Sequence, residues 1–318
     1  MSEETIFDAI VCGGGPAGLT ASMWLGRYRR VTALFDTNRQ RNLAAERSHG
    51  YLSRDGCSPR EILDLGQNDL ERYDTVQVID QNVETVERRD DRFLVRCEEG
   101  EYAAPRVMLC TGVTDVFPDI PGFTDLYGTS VFHCSCCDGY EARGQQVLAI
   151  GWGEHAAGYA LDLLEWGAEV TLVTNGEEFE GDGDSRAALE RNGIQLIEDR
   201  VVALESEGSS LSGVTLADGS RVQATMAFFS IAHSPRTELA VQVGCELDDE
   251  GYIVVDAHGR TSVEGIYAAG DVTPGEQLVQ VAASEGAIAG IACAMSLRGT
   301  STRARGPQPG PDPEQELD

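Results

Sequence analysis

Ile6-Phe7-Asp8-Ala9-Ile10-Val11-Cys12-Gly13-Gly14-Gly15-Pro16-Ala17-Gly18 decides how the rest of the sequence is read. The run Ile6–Cys12 is short and largely apolar, as a buried parallel strand is. Gly13, Gly15 and Gly18 give G-x-G-x-x-G directly after it, and Pro16 opens a helical stretch to Arg30. The first glycine permits a tight turn, the second lets backbone approach a pyrophosphate, and the third lets helix press on strand. Free N–H groups at the helix start can then meet phosphate oxygens. Val31–Asp36 reads as the next strand, and Asp36 at its end can accept from ribose hydroxyls. A βαβ unit holding a dinucleotide is expected here.

Working outward, Val83–Arg88 and Phe93–Cys97 flank Asp90–Arg92 as the arms of a hairpin would. Val107–Cys110 is another buried strand, followed by Thr111 and Gly112. The Pro- and Gly-containing loop Val116–Gly128 marks a boundary. Beyond it the opening pattern recurs: strand Val147–Ile150, helix Glu154–Trp166, strand Glu169–Val173. Gly151, Gly153 and Ala156 form G-x-G-x-x-A between the first two. A β-rich stretch from Gln195 to Ser230 completes this second copy. Gly265–Ala269 is a further strand, and a helix is predicted from about Gln280. The fold class expected is α/β with two Rossmann-like units, the second inserted in the first.

The second glycine motif ends differently from the first. Its second strand runs into Thr174-Asn175-Gly176 and then Glu177, Glu178, Glu180, Asp182 and Asp184. An NAD site wants one acid at that strand end, and an NADP site wants basic residues for the 2′-phosphate. Neither pattern is met, so a second nucleotide site and nucleotide-fold scaffolding without one are both compatible with the motif.

Cys134-Ser135-Cys136-Cys137-Asp138-Gly139 lies between the two units. Cys134 and Cys137 have C-x-x-C spacing, which suits a small disulfide loop that closes and reopens. Cys134, Cys136, Cys137 and His133 fall short of a zinc site because no second C-x-x-C completes it, so no metal is expected. Cys136 is either an idle thiol or an alternative partner. The other six of the nine cysteines lie singly and read as small buried hydrophobes.

Composition narrows the function. The 318 residues suffice for two ordinary domains. No apolar run reaches the roughly 20 residues that span a bilayer, since Glu285 interrupts the richest stretch. Met1–Asp8 carries acids where an export signal would be basic and apolar, so a cytoplasmic location is expected. Acids number 53 against 24 basic residues, all arginine, for a formal charge of −29. That field argues against nucleic acid and membrane partners. A genome that codes Arg over Lys accounts for the absent lysine but not for the acid surplus. Work in concentrated salt accounts for the surplus, because screening there removes the self-repulsion.

Taken in order, these motifs resemble the low-molecular-weight thioredoxin reductases over nearly the whole sequence. They are the opening glycine motif, Cys110-Thr111-Gly112, the central C-x-x-C-D-G, the second glycine motif, Ile231-Ala232-His233-Ser234-Pro235, and Gly265-Ile266-Tyr267-Ala268-Ala269-Gly270-Asp271. The resemblance implies residues 1–115 and 236–298 as one FAD-binding domain, with 116–235 an inserted NAD(P)-binding-like domain carrying the cysteines. Residues 299–318 form an acidic tail expected to be disordered. The resemblance further implies that Gly13, Gly15, Gly18, Asp36, Thr111, Gly112, Gly270, Asp271, Gln280, Val281 and Ala282 serve FAD. Cys137 would stand next to the flavin, Cys134 would exchange with substrate, and Asp138 would move protons. A homodimer is common among such enzymes.

The departures point to a divergent branch. Thr174-Asn175-Gly176 replaces the arginine-bearing segment for NADPH, and Val279 stands where Arg commonly precedes Gln280. The segment Arg47–Gly56 and the form Cys-Asp-Gly-Tyr-Glu at 137–141 look more like dithiol oxidases similar to the gliotoxin and holomycin enzymes. Other relatives of this kind draw electrons from ferredoxin. His49 and His133 are candidate bases, or ordinary loop histidines. The expected activity is FAD-dependent thiol–disulfide exchange with a thioredoxin-like protein or a small dithiol or disulfide. Its electrons would run to or from NADPH, ferredoxin or oxygen. The alternative is a nicotinamide-dependent flavin reductase whose cysteines are idle.

Overall fold

The computed structural model describes residues 5–166 and 169–299, so the acidic tail lies almost wholly outside the described residues. The opening strand is not continuous. Thr5–Ile6 joins one sheet and Ala9–Cys12 another, because the Asp8 carboxylate turns the backbone by accepting the Val31 N–H at 2.9 Å. Ala9–Cys12 then sits centrally in a five-stranded parallel sheet. The order is Ile266–Ala268, Val107–Leu109, Ala9–Cys12, Thr32–Asp36, Val76–Asp80. Cys12 is level with Phe35 on one side and Leu109 on the other. Gly13, Asp36 and Cys110 therefore emerge at one carboxyl edge, where open α/β sheets bind ligands.

Three helices cover one face of this sheet, among them Pro59–Leu70, which packs through Leu63 and Leu70. Pro16–Arg27 follows the glycine turn, and Val279–Ser296 crosses it closely. A Cβ on Gly286 would lie 2.1 Å from the Ala17 carbonyl oxygen, and one on Gly290 would lie 2.9 Å from Ala21 Cα. The small residues of Val279–Ser296 thus serve backbone approach. Its mean hydropathy of 1.3 over 18 residues makes it long and apolar enough to cross a membrane, but here it packs as a core helix. The other face carries a sheet in the order Thr5–Ile6, Gly100–Ala104, Arg92–Cys97, Val83–Arg89. Its hairpin turns at Asp90 with φ 53°, as the sequence predicts. Glu238–Val243 packs on this sheet, where Gln242 Oε1 accepts the Val86 N–H.

Between Val116 and Ala232 a second parallel sheet is built. Its order is Val131–Phe132, Met226–Phe229, Gln146–Ile150, Glu169–Val173, Gln195–Ile197. The β-rich stretch after Gln195 divides. Val201–Glu207, Ser210–Leu216 and Arg221–Gln223 form a separate antiparallel sheet, and only Met226–Phe229 returns to the parallel one. The expected helix Glu154–Trp166 is shorter. Gly153 turns at φ 79°, so helix begins at Ala156, and Leu163–Trp166 tightens into a 3₁₀ turn. The two crossings between units pair with each other, Val113–Val116 running antiparallel to Ala232–Pro235. The result is the α/β fold with two Rossmann-like units, one inserted in the other.

Candidate functional site

The carboxyl edge of the first parallel sheet opens into a long cleft lined from both units. Gly13, Gly15, Asp36, Thr111, Gly112, Gly270, Asp271, Gln280 and Ala282 all line it, and so do Cys134, Cys137 and Asp138. Residues far apart in sequence and drawn from both units thus share one space. Gly18 and Val281 do not line it. Gly18 works from beneath, where a Cβ would lie 1.8 Å from the Gly13 carbonyl oxygen. Gly13 is equally constrained, with φ 109° and the Cys110 carbonyl oxygen 2.1 Å from any Cβ. By contrast Gly112 has open space before it, and Gly15 meets only the Gln40 side chain at 3.8 Å.

The polar lining fits a flavin dinucleotide. The Asp36 carboxylate, in the lining of the cleft, accepts from the Asn38 N–H, from Gln40 Nε2 and from Gln67 Nε2. Gln40 Oε1 is buried without a partner. Gln81 Oε1 is likewise orphaned, at a neighbouring cavity bounded by Cys12, Phe35 and Arg236. Buried amide oxygens left unpaired are costly, so the one on Gln40, in the lining of the cleft, marks a place where a ligand donor fits. Glu285, the acid inside the apolar helix, accepts the Gly270 N–H at 2.8 Å and so sets the Gly270–Asp271 turn. Burial pushes its carboxyl up from the usual range.

Cys134 and Cys137 are joined as a disulfide. Cys134 precedes the single turn Ser135–Asp138, and its sulfur accepts the Cys137 N–H at 3.1 Å. Cys136 is exposed and unpaired to any other cysteine. No cluster of His, Cys, Asp or Glu suits a metal among the described residues. Burial, and after it the nearby Glu141, raises the Asp138 carboxyl to about 7. A group poised there can either give or take a proton near neutrality.

An arginine that no sequence motif singles out is the hub of the wall beside the disulfide. Arg41 pairs with both oxygens of Asp115, at 3.2 Å from Nε and 2.5 Å from Nη2. It also reaches Gln277 Oε1 at 2.6 Å and Asp271 at 3.6 Å, and it donates to His133 Nε2 at 3.0 Å. The other ring nitrogen of His133 meets the Tyr127 hydroxyl at 2.6 Å. Burial, aided by Arg41, lowers His133 to about 4. With both nitrogens engaged and the ring neutral, His133 is a fixed strut. His49 differs. Its nitrogens stand 3.7 Å from Glu141 and 3.9 Å from Asp55, at the edge of the same cleft.

The second glycine motif is elsewhere. Gly151, Gly153 and Ala156 lie at the end of the inserted sheet and take no part in the cleft. A Cβ on Gly153 would lie 3.6 Å from Glu180 Oε2, so a carboxylate stands against the turn where a pyrophosphate would need open N–H groups. Thr174 and Asn175 are used locally, donating to the Glu177 carbonyl and accepting the Val201 N–H. The fold also brings Arg200 against Gly176, a neighbour that the local sequence does not reveal.

Comparison with known proteins agrees with this arrangement. The family described as pyridine nucleotide-disulphide oxidoreductase matches residues 7–286. Thioredoxin reductase tcpT of Claviceps purpurea is 32% identical over 85% of this chain and 88% of its own length. Thioredoxin reductase sirT of Leptosphaeria maculans is 31% identical over 95% and 97%. Among solved structures, a putative thioredoxin reductase from Bacillus anthracis superposes with a TM-score of 0.86. It is 34% identical and is covered over 98% of its length by 92% of this chain. With a flavin cleft that also holds a C-x-x-C disulfide, on this fold and with these relatives, the protein belongs to the pyridine nucleotide-disulphide oxidoreductase family and is a flavin-dependent thiol–disulfide oxidoreductase of the thioredoxin reductase-like kind.

Proposed function

We propose that the protein is an FAD-dependent dithiol oxidase that closes a disulfide in a small dithiol, with dioxygen as final acceptor and without NADPH or ferredoxin. The observation that carries this reading is the Glu180 carboxylate set against Gly153, amid the acids Glu177, Glu178 and Asp182. A pyrophosphate there would meet negative charge instead of free N–H groups. The half-buried sulfurs inside the cleft suit a small dithiol better than the surface of a folded partner.

FAD would lie along Gly13, Gly15, Asp36, Thr111, Gly112, Gly270, Asp271, Gln280 and Ala282, and when bound it supplies a two-electron acceptor beside the cysteines. The protein's own groups manage sulfur and protons. A substrate thiolate attacks the Cys134–Cys137 disulfide, and Asp138 hands its proton to the released sulfur. The second substrate thiol then resolves the mixed disulfide. Overall, dithiol and dioxygen become disulfide and hydrogen peroxide. The free cysteines suit a reducing cytoplasm, and the acid surplus suits concentrated salt. A homodimer is the assembly that the resemblance favours.

A second reading rests on Arg200 beside Gly176, which could meet the 2′-phosphate of NADPH and make the protein a reductase of a thioredoxin-like partner. Anaerobic flavin spectra separate the two. Dithiothreitol alone should bleach the flavin, and readmitted oxygen should restore it with one hydrogen peroxide formed per dithiol. Bleaching by NADPH or reduced ferredoxin within the turnover time would overturn the oxidase reading.

A further inference from the structure

We infer that His49, held between Glu141 and Asp55 on the loop that walls the cleft beside the disulfide, is the base that takes the proton from the incoming dithiol; this rests on dithiol exchange at the Cys134–Cys137 pair.

Three observations carry it. The first is placement. Arg47, Ser48 and His49 line the same cleft as Cys134, Cys137 and Asp138. The loop fixes its own shape: the Ser48 N–H donates to the Cys57 carbonyl, the Gly56 N–H to the Ser48 carbonyl, and the Gly50 N–H to Asp55 Oδ1. Gly50 and Gly56 take φ 73° and 76°, and Gln280 reaches to within 3.8 Å of any Cβ on Gly50. Such a self-tied loop holds a side chain at a fixed site while leaving its tip free, and Leu52 at that tip is 90% exposed.

The second observation is availability. His133 has both nitrogens engaged, and His233 Nε2 is taken by Tyr252 and Gln277. Among the described residues, His49 is the imidazole lining the cleft with no hydrogen bond shorter than 3.5 Å to either nitrogen. The third is the direction of its neighbours. The Glu141 and Asp55 carboxylates stand 3.7 and 3.9 Å from its two nitrogens. Glu141 stands in turn near Asp138, the group on the disulfide side.

The division of labour balances. The substrate S–H proton passes to His49, and the thiolate forms a bond to one sulfur of the pair. The Cys134–Cys137 bond breaks, its electron pair stays on the other cysteine, and the Asp138 proton joins that sulfur. His49 then releases its proton to solvent through the open mouth of the cleft. One residue accepts on the substrate side while another donates on the cysteine side, so neither must do both within a single exchange.

The test follows anaerobic reduction of the holoenzyme by rapid mixing with dithiothreitol, and with a dithiol whose thiols are more acidic. His49→Ala and His49→Gln should retain flavin and unfolding midpoint, and should slow reduction by dithiothreitol at pH 7 about a hundredfold or more. The loss should shrink with the more acidic dithiol and as the pH approaches the thiol pKa, because pre-formed thiolate needs no base. Added imidazole should partly restore His49→Ala. An equal loss with both dithiols at every pH, or no loss, would overturn the assignment. The wild-type arm reads the parent proposal separately. Should wild type accept electrons only from NADPH, that proposal falls. His49 is then still read from the NADPH-reduced enzyme's attack on a small disulfide, where it must return the proton to the leaving sulfur.

Discussion

Arg41 and Asp115 meet as a two-point ion pair where the backbone passes from the first unit into the insert. Asp115 lies on a crossing strand, and its side chain is 5% exposed. Removing the cation would strand that carboxylate, and breaking a buried pair typically costs about 3–5 kcal/mol. Arg41→Met should therefore lower the unfolding free energy, measured in urea, by an amount in that range. Asp115→Asn should cost less, since the amide oxygen still accepts from Arg41. Equal stabilities for wild type and Arg41→Met would mean that water replaces the pair at no cost.

Asp138 makes a pH-dependent prediction for both rate and stability. Its carboxyl, raised to about 7 by burial and then by Glu141, is protonated in the folded state over a range where the unfolded group is charged. The stability tied to that proton is present below about 3.9 and is lost as pH rises through about 7. Asp138→Asn should thus gain on wild type in urea titrations between pH 5 and pH 8. In exchange it should slow disulfide opening by about a hundredfold or more and erase a rate inflection near neutrality.

His133 has the opposite sign. Burial and Arg41 lower it to about 4, so its contribution is present above about 6.5 and is lost as pH falls toward 4. His133→Asn should show a flatter stability profile across that window than wild type. A variant that loses stability on acidification as steeply as wild type would show that this ring is not the group responsible.

Gly18→Ala tests the cleft without touching a lining residue. The new Cβ would lie 1.8 Å from the Gly13 carbonyl oxygen, so the turn must shift. The expected outcome is purified protein with little bound flavin, while the inserted unit stays folded by circular dichroism. Full flavin occupancy would mean that the turn tolerates displacement.

The formal charge of −29 predicts strong dependence on salt. At about 1 M the screening length falls to about 3 Å, so repulsion among surface acids is quenched. Thermal midpoints should rise steadily from low to molar KCl. A flat response would leave the acid surplus without this explanation.

How much is legible in the sequence follows from how local each signal is. The glycine turn, the hairpin at Asp90 and the C-x-x-C spacing are set by near neighbours, and the structure places them as read. The break at Asp8 escapes such a reading because its cause, the Val31 N–H, lies a helix away. Arg41 escapes for the same reason: nothing in Asn38–Ala44 announces that Asp115, His133, Asp271 and Gln277 will converge on it. Glu285 leaves a trace, a charge inside an apolar helix, which argues against a membrane span but does not reveal a clamp on Gly270. His133 illustrates a different limit, since residue type suggests a base while its two partners make it a strut.

The pairing of Val113–Val116 with Ala232–Pro235 also bears on how such a protein can be rebuilt. Entry and exit of the insert lie side by side, with Thr114 directly opposite Ser234, so a turn of a few residues could splice them. Splicing there would remove the Cys134–Cys137 disulfide and Asp138 along with the insert, so the half left behind could keep its sheet order but not its sulfur chemistry.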